Sequence, residues 1–261
     1  MTLVAFASAK GSPGVTQTVT GLASVWPAAP VVAELDPVGG DLAFRQRRED
    51  GVPLDRETGL LSYAVAVRGG RASALADHLQ PTDEGIDALV GVSAPGQVQG
   101  LGLAWPHVAA GLLAEARPVL ADCGRLTPGS PIAPVVEQSS ALVLVARSDV
   151  SALAHLRERL LWLREPLRIG GVDGVPTGVL LVGDPRDKRA RDDLARLLAS
   201  AGVPVPVLGT VAYDPKVVQN LRTSSERAVR RTLWHRSLVD VVPEVHALVA
   251  SRVPFWSEEV V

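Results

Sequence analysis

Apolar residues in this chain come in short unbroken blocks rather than in alternation. The blocks run from Leu3 to Phe6, Val31 to Leu35, Val119 to Ala121, Leu142 to Ala146, Val179 to Val182 and Val207 to Val211. A strand hidden on both faces needs no polar alternation, so runs of this kind fit parallel strands covered by helices on either side. Ala88-Leu89-Val90-Gly91 is a further candidate strand. Between the blocks the period lengthens. From Ser151 to Glu165, Leu153, Leu156, Leu160 and Leu163 recur at helical spacing, leaving Arg157, Glu158 and Arg164 for the opposite face. The same reasoning predicts helices over about Lys188 to Ser200, closed by Gly202, and over about Ser237 to Ser251. Val52 to Gln99 is less regular, with Gly69-Gly70, Pro81 and Pro95, and is read as packing on the same sheet. Strands alternating with helices predict an α/β fold: a doubly wound, mostly parallel sheet with helices on both faces, built as one domain over residues 1–261.

Composition narrows the setting. At 47% hydrophobic the 261 residues suffice for a large core. The net charge of -2 gives no global attraction to nucleic acid or an anionic bilayer, so either would need a local patch. Cys123, the one cysteine, rules out an intramolecular disulfide and fits a reducing compartment, so the expected location is the cytoplasm. The opening strand passes straight into a glycine-rich turn, so no signal peptide is expected. No apolar stretch approaches the roughly 20 residues of a membrane span.

The chemistry gathers at the turn. Ala7-Ser8-Ala9-Lys10-Gly11-Ser12-Pro13-Gly14-Val15-Thr16-Gln17-Thr18 joins the first strand to a helical stretch, the position of a phosphate-binding loop. Glycines let backbone N–H groups approach phosphate oxygens, and the following helix adds the positive end of its dipole. Gly11, Gly14 and Thr16 form the cradle, with Ser12, Val15 and Gln17 beside them, and the Thr16 hydroxyl is the candidate Mg²⁺ ligand. Asp36 follows the second apolar run at a strand's carboxyl end, where it could orient an attacking water. Asp122 ends the Val119 to Ala121 run, where it would hold Mg²⁺ through water. Either aspartate alone reads as a loop cap; together, in this order behind a glycine-rich turn, they read as a nucleotide site.

These residues resemble the MinD/ParA family of deviant Walker A ATPases, SIMIBI-class P-loop NTPases whose loop reads Lys-Gly-Gly-x-Gly-Lys-Thr-Thr. Lys10 falls on the family's signature lysine and Thr16 on its magnesium-binding hydroxyl, while Ser12, Pro13, Val15 and Gln17 depart from the pattern. Asp36 matches the second acid of the Asp-x-Asp switch segment and Asp122 the Walker B aspartate. The likeness continues through Leu142-Val143-Leu144-Val145, Ser148-Asp149, and Val207 to Asp214, which is similar to the family's base-side segment. The resemblance implies ATP or ADP with Mg²⁺ as cofactors. It also implies a nucleotide-dependent homodimer in which Lys10 reaches the opposite subunit's nucleotide, and a role in positioning a chromosome, plasmid, division site, flagellum or pilus. A solvated lysine beside a turn is the plain alternative for Lys10.

Val15 stands where a phosphate-binding lysine belongs. A charge-assisted hydrogen bond contributes roughly 1.5–3 kcal/mol, so its loss should weaken nucleotide binding about ten- to a hundredfold. Removing a preorganised partner of transition-state charge costs about a hundred- to a thousandfold in rate, so hydrolysis should suffer more. Pro13 also offers no N–H to a phosphate. The expectation is a weak ATPase acting as a dimerisation switch. The alternatives are a nucleotide-free pseudo-ATPase scaffold for protein partners and a biosynthetic ligase related to the dethiobiotin and cobyrinate enzymes of the same fold. TadZ/CpaE-like pilus-assembly relatives often have degenerate loops, which points to a pilus or secretion machine. Such relatives often carry a receiver-like N-terminal domain, for which no room is expected here.

For partners, Arg227, Arg230 and Arg231 are the better candidates for nonspecific DNA. The Arg186 to Arg191 cluster is interrupted by Asp187 and reads as a solvated helix face. The final segment, Val253 to Val261, is acidic and proline-interrupted, so no direct membrane anchor is expected, though Phe255 and Trp256 could dock on a partner. Histidines 78, 107, 155, 235 and 246 lack metal-ligand spacing and are read as structural.

Overall fold

The computed structural model describes residues 1–68, 74–203 and 205–252. In chain order its principal elements are β1 (Leu3–Ser8), α1 (Val15–Val25), β2 (Val31–Glu34), α2 (Leu42–Arg45), α3 (Leu60–Arg68), β3 (Gln80–Pro81), β4 (Asp87–Leu89), α4 (Pro95–Leu101) and α5 (Trp105–Ala114). There follow β5 (Val119–Arg125), α6 (Ala133–Gln138), β6 (Ala141–Arg147), α7 (Val150–Leu163), β7 (Thr177–Gly183), α8 (Lys188–Ser200), β8 (Val207–Ala212), α9 (Pro215–Gln219), α10 (Glu226–Arg230) and α11 (Leu233–Ala250).

The strands form an eight-stranded sheet in the order β3-β4-β2-β5-β1-β6-β7-β8. Every pairing is parallel except β3 with β4. Successive strand side chains point to opposite faces. Leu3, Ala5 and Ala7 of β1 therefore join one core with Tyr63, Val108, Leu156 and Leu194, while Val4 and Phe6 join a second with Val19, Leu22, Leu238 and Val245. Helices on both faces are what make the apolar runs unbroken. On the second face α1 meets α11 closely. A β-carbon on Gly21 would lie 2.7 Å from Trp234 and 2.8 Å from Leu238, so only glycine permits the approach.

The predicted blocks all fall on strands, with informative shifts at their ends. β4 stops at Leu89 because the Gly91 N–H goes to the Glu34 carboxylate rather than to a neighbouring strand. β5 runs on through Arg125, which places Asp122 inside the strand and not at its end. α8 has the predicted bounds, with Asp187 capping its first N–H groups. α11 starts earlier than expected, because the Thr232 hydroxyl caps the His235 N–H. The irregular span after Val52 supplies α3, β3 and β4 at the β2 edge, and Gly69-Gly70 lies outside the described residues. No helix among the described residues is long and apolar enough to cross a membrane. The segment Val253 to Val261, with Phe255 and Trp256, lies outside the described residues.

β1 sits between β5 and β6, so the chain leaves it toward β2 on one side and returns at β6 on the other. The crevice at that reversal, beyond the carboxyl ends of the strands, is where open α/β sheets bind ligands. The loop between β1 and α1 lies there.

Candidate nucleotide site

The loop is shaped by two glycines. Gly11 at φ 71° and Gly14 at φ 100° adopt the left-handed region that costs other residues, which turns the chain sharply from strand to helix. Gly14 is the N-cap of α1 and no side chain caps the helix, so its first-turn N–H groups have no side-chain acceptor. They face a cavity of about 620 Å³, within the size range of small-molecule sites. Gly11, Ser12, Gly14, Val15, Thr16 and Gln17 all line it, opposite Asp36, Asp41, Gly124 and Tyr213.

At the loop's foot the Thr16 hydroxyl donates to the Asp122 carboxylate at 2.6 Å. Asp122 also accepts from the Gly124 N–H at 3.0 Å. A hydroxyl whose proton is committed to Asp122 keeps its lone pairs for a cation in the cavity. Asp122 is 2% exposed and does not line the cavity, so it would act on such a cation from behind Thr16 or through water. Oxygen donors of this kind suit Mg²⁺. Burial raises the Asp122 carboxyl to about 6 against those two hydrogen bonds, with the charges of Asp36 and Asp41 adding to the rise.

Asp36 reaches the same cavity from the end of β2. Its carboxylate accepts the Val38 N–H at 2.8 Å and lies against Gly124, whose missing side chain makes the room. Burial raises its pKa above the usual aspartate value; the Val38 hydrogen bond opposes the rise and Asp41 adds to it. The structure thus brings together the loop, Thr16, Asp36 and Asp122, which lie far apart in sequence.

It places the two cation positions differently. Val15 is 6% exposed, and it lines the cavity while packing into the apolar cluster with Val19 and Phe6. An apolar group therefore stands at the helix start where phosphate charge would lie. Lys10 points away from the cavity, with its Nζ 2.8 Å from His155 Nε2 on α7.

Several cavity residues were invisible to spacing arguments. Arg45 is paired with Asp41 at 2.9 Å, and Arg147 stacks over the Tyr213 ring at 3.8 Å from its centroid. Arg125 lines the cavity from the end of β5. Glu34, 1% exposed, accepts the N–H groups of Asp41, Leu42 and Gly91 and so ties the segment after β2 to the segment after β4. Burial raises it to about 7, against those hydrogen bonds. The one clue in the sequence was an acid inside an apolar run followed by glycines at 40 and 91, where β-carbons would strike Glu34.

No protein-family model matches the chain, and no curated protein matches its sequence. Solved structures match it over nearly full length. A ParA-family ATPase from Chlorobium tepidum TLS is 13% identical with a TM-score of 0.71, covering 93% of this chain and 97% of that one. The cell-division ATPase MinD of Pyrococcus furiosus is 17% identical with a TM-score of 0.68, covering 95% and 99%. The septum site-determining protein MinD of Pyrococcus horikoshii OT3, solved with Mg-ADP, is 17% identical with a TM-score of 0.69, covering 97% and 99%. This chain has the MinD/ParA P-loop NTPase fold.

Proposed function

We propose that the protein is a MinD/ParA-like dimerisation switch that binds ATP or ADP with Mg²⁺ and hydrolyses ATP slowly. The observation that carries the reading is the Thr16–Asp122 hydrogen bond at 2.6 Å beneath a glycine-turned loop that faces an open cavity. Bound Mg²⁺-nucleotide supplies the phosphate charge that the switch reads. The loop N–H groups of Gly11, Ser12, Gly14, Val15, Thr16 and Gln17 would cradle that charge, Thr16 would ligate the cation with Asp122 behind it, and Asp36 would orient water. Val15 contributes no charge, so turnover is slow. Lys10 engages the opposite subunit of a homodimer once it leaves His155. The cargo is of the kind such switches position, a chromosome or plasmid, or pilus or secretion machinery. Arg227, Arg230 and Arg231 would form a nonspecific DNA contact, and the compartment is cytoplasmic.

Titration with ATP and Mg²⁺, reading affinity, oligomeric mass and phosphate release together, tests the reading. The expected result is binding with a mass increase and little phosphate. Turnover at the rate of an intact loop, abolished by Asp36→Ala, contradicts the slow-hydrolysis part. The burial of Val15 favours a second reading, a nucleotide-free scaffold for protein partners. No binding at millimolar ATP would select it.

A further inference from the structure

Beside the loop, basic side chains collect with no carboxylate of the described residues in ion-pair distance. Arg125 ends β5 next to Ser8, its partner across the sheet. Arg159 of α7 donates to the Ala9 carbonyl at 3.3 Å, and His155, one helical turn before it on the same face, holds Lys10. Some arginines elsewhere pair with carboxylates, among them Arg45 with Asp41, Arg117 with Asp87 and Arg222 with Asp83, while others such as Arg227 and Arg231 form no ion pair among the described residues. What sets this group apart is that its basic side chains gather at one loop. Among the described residues no carboxylate lies within ion-pair distance of Lys10, Arg125 or Arg159. The Arg159 Nε is buried and without a hydrogen-bond partner. Burial lowers the proton affinity of Arg159, and the like charge of Arg125 lowers it further.

Arg125 pairs across the sheet with Ser8 and Arg159 bonds the carbonyl of the next residue, Ala9, so two guanidiniums meet at consecutive positions where β1 runs into the loop. Arg159 also lies 5.2 Å from the centre of the Trp162 ring, and an anion between the two arginines would offset their like charge. Their planar donor forks match phosphate oxygens. We infer that Arg125 and Arg159, flanked by Lys10 and His155, form a phosphate-oxyanion site contiguous with the nucleotide cavity, supplying from β5 and α7 the charge that Val15 does not. Arg125 is the link, since it also lines the cavity. The proposed function enters only in naming the carrier of the phosphate, the terminal group of a nucleoside triphosphate or a free oxyanion.

Calorimetry with ATP and Mg²⁺, with pyrophosphate and with adenosine separates these sources. Arg125→Gln is expected to bind ATP and pyrophosphate about tenfold more weakly than wild type, with adenosine unchanged. Arg159→Gln should do the same, and Arg159→Lys should recover part of the loss. Because Arg159 also holds the Ala9 carbonyl, melting temperatures accompany each variant; exposed Arg125 makes no such bond and gives the cleaner result. Unchanged affinity of Arg125→Gln for both anions overturns the site. Pyrophosphate bound through Arg125 without any ATP binding keeps the site and removes the nucleotide reading. ATP bound equally by wild type and Arg125→Gln does the reverse, and binding of neither anion removes both.

Discussion

The carboxyl carbon of Asp36 lies 2.1 Å from the point where a β-carbon on Gly124 would stand. Asp36 and the strand that carries Asp122 are therefore fitted to each other through an absent side chain. Gly124→Ala is expected to push Asp36 out of the cavity and to strain residue 124, held at φ 55°, for a loss of about 1–3 kcal/mol in stability. In an Asp36→Ala background most of that loss should vanish, leaving about 1 kcal/mol of backbone strain. Denaturant unfolding of the four proteins of this cycle measures the coupling. Equal losses in both backgrounds would mean that Asp36 does not depend on Gly124.

Val15→Lys restores the missing charge at the first residue of α1. It gives up the burial of a valine, costing about 1–2 kcal/mol without ligand. It gains a phosphate partner, tightening ATP binding about ten- to a hundredfold. Melting should thus fall in the free protein and rise above wild type in excess ATP and Mg²⁺. A variant that melts lower under both conditions would show that residue 15 does not face the phosphates.

The sheet was legible because burial on both faces leaves a strand no polar alternation to obscure it. The Thr16, Asp36 and Asp122 grouping was legible too, since parallel strands deliver their carboxyl ends to one edge. The other charges were not. Lys10 finds His155 at a separation of 145 residues, and Gly91 finds Glu34 at 57, contacts that register and helix packing decide and local spacing does not encode. Arg125 and Arg147 sit at strand ends with no motif to single them out, and only the fold brings both to one cavity.

Glu34 predicts a pH dependence. Its carboxyl is raised from 4.5 to about 7 in the folded chain, mainly by burial. The unfolded chain therefore releases this proton first as pH rises, and stability falls between about 4.5 and 7 by an amount on the order of 3 kcal/mol, then levels off. Glu34→Gln should flatten that part of the profile. Near pH 4.5, where the folded wild-type carboxyl is neutral, the variant should be less stable by about 1–3 kcal/mol, because an amide N–H₂ cannot accept the N–H that one carboxylate oxygen now receives, and above pH 7 the wild-type fall should close or reverse that gap. Chemical denaturation from pH 4.5 to 8 checks both, and a wild-type slope in the variant would remove Glu34 as the cause.

The basic patch near α10 carries a numerical expectation. Arg230 is paired with Glu226 on the same helix, whereas Arg227 and Arg231 form no ion pair among the described residues. Two free guanidiniums per protomer correspond to about two released counterions, so log affinity for duplex DNA should fall against log salt with a slope near -2 per protomer. Glu226→Gln frees Arg230 and should steepen the slope by about one. Arg227→Glu with Arg231→Glu should abolish binding at low salt. Retention of binding in that double variant would place any DNA contact on another face, because the one arginine left in α10, Arg230, is paired with Glu226 and the new carboxylates repel phosphate.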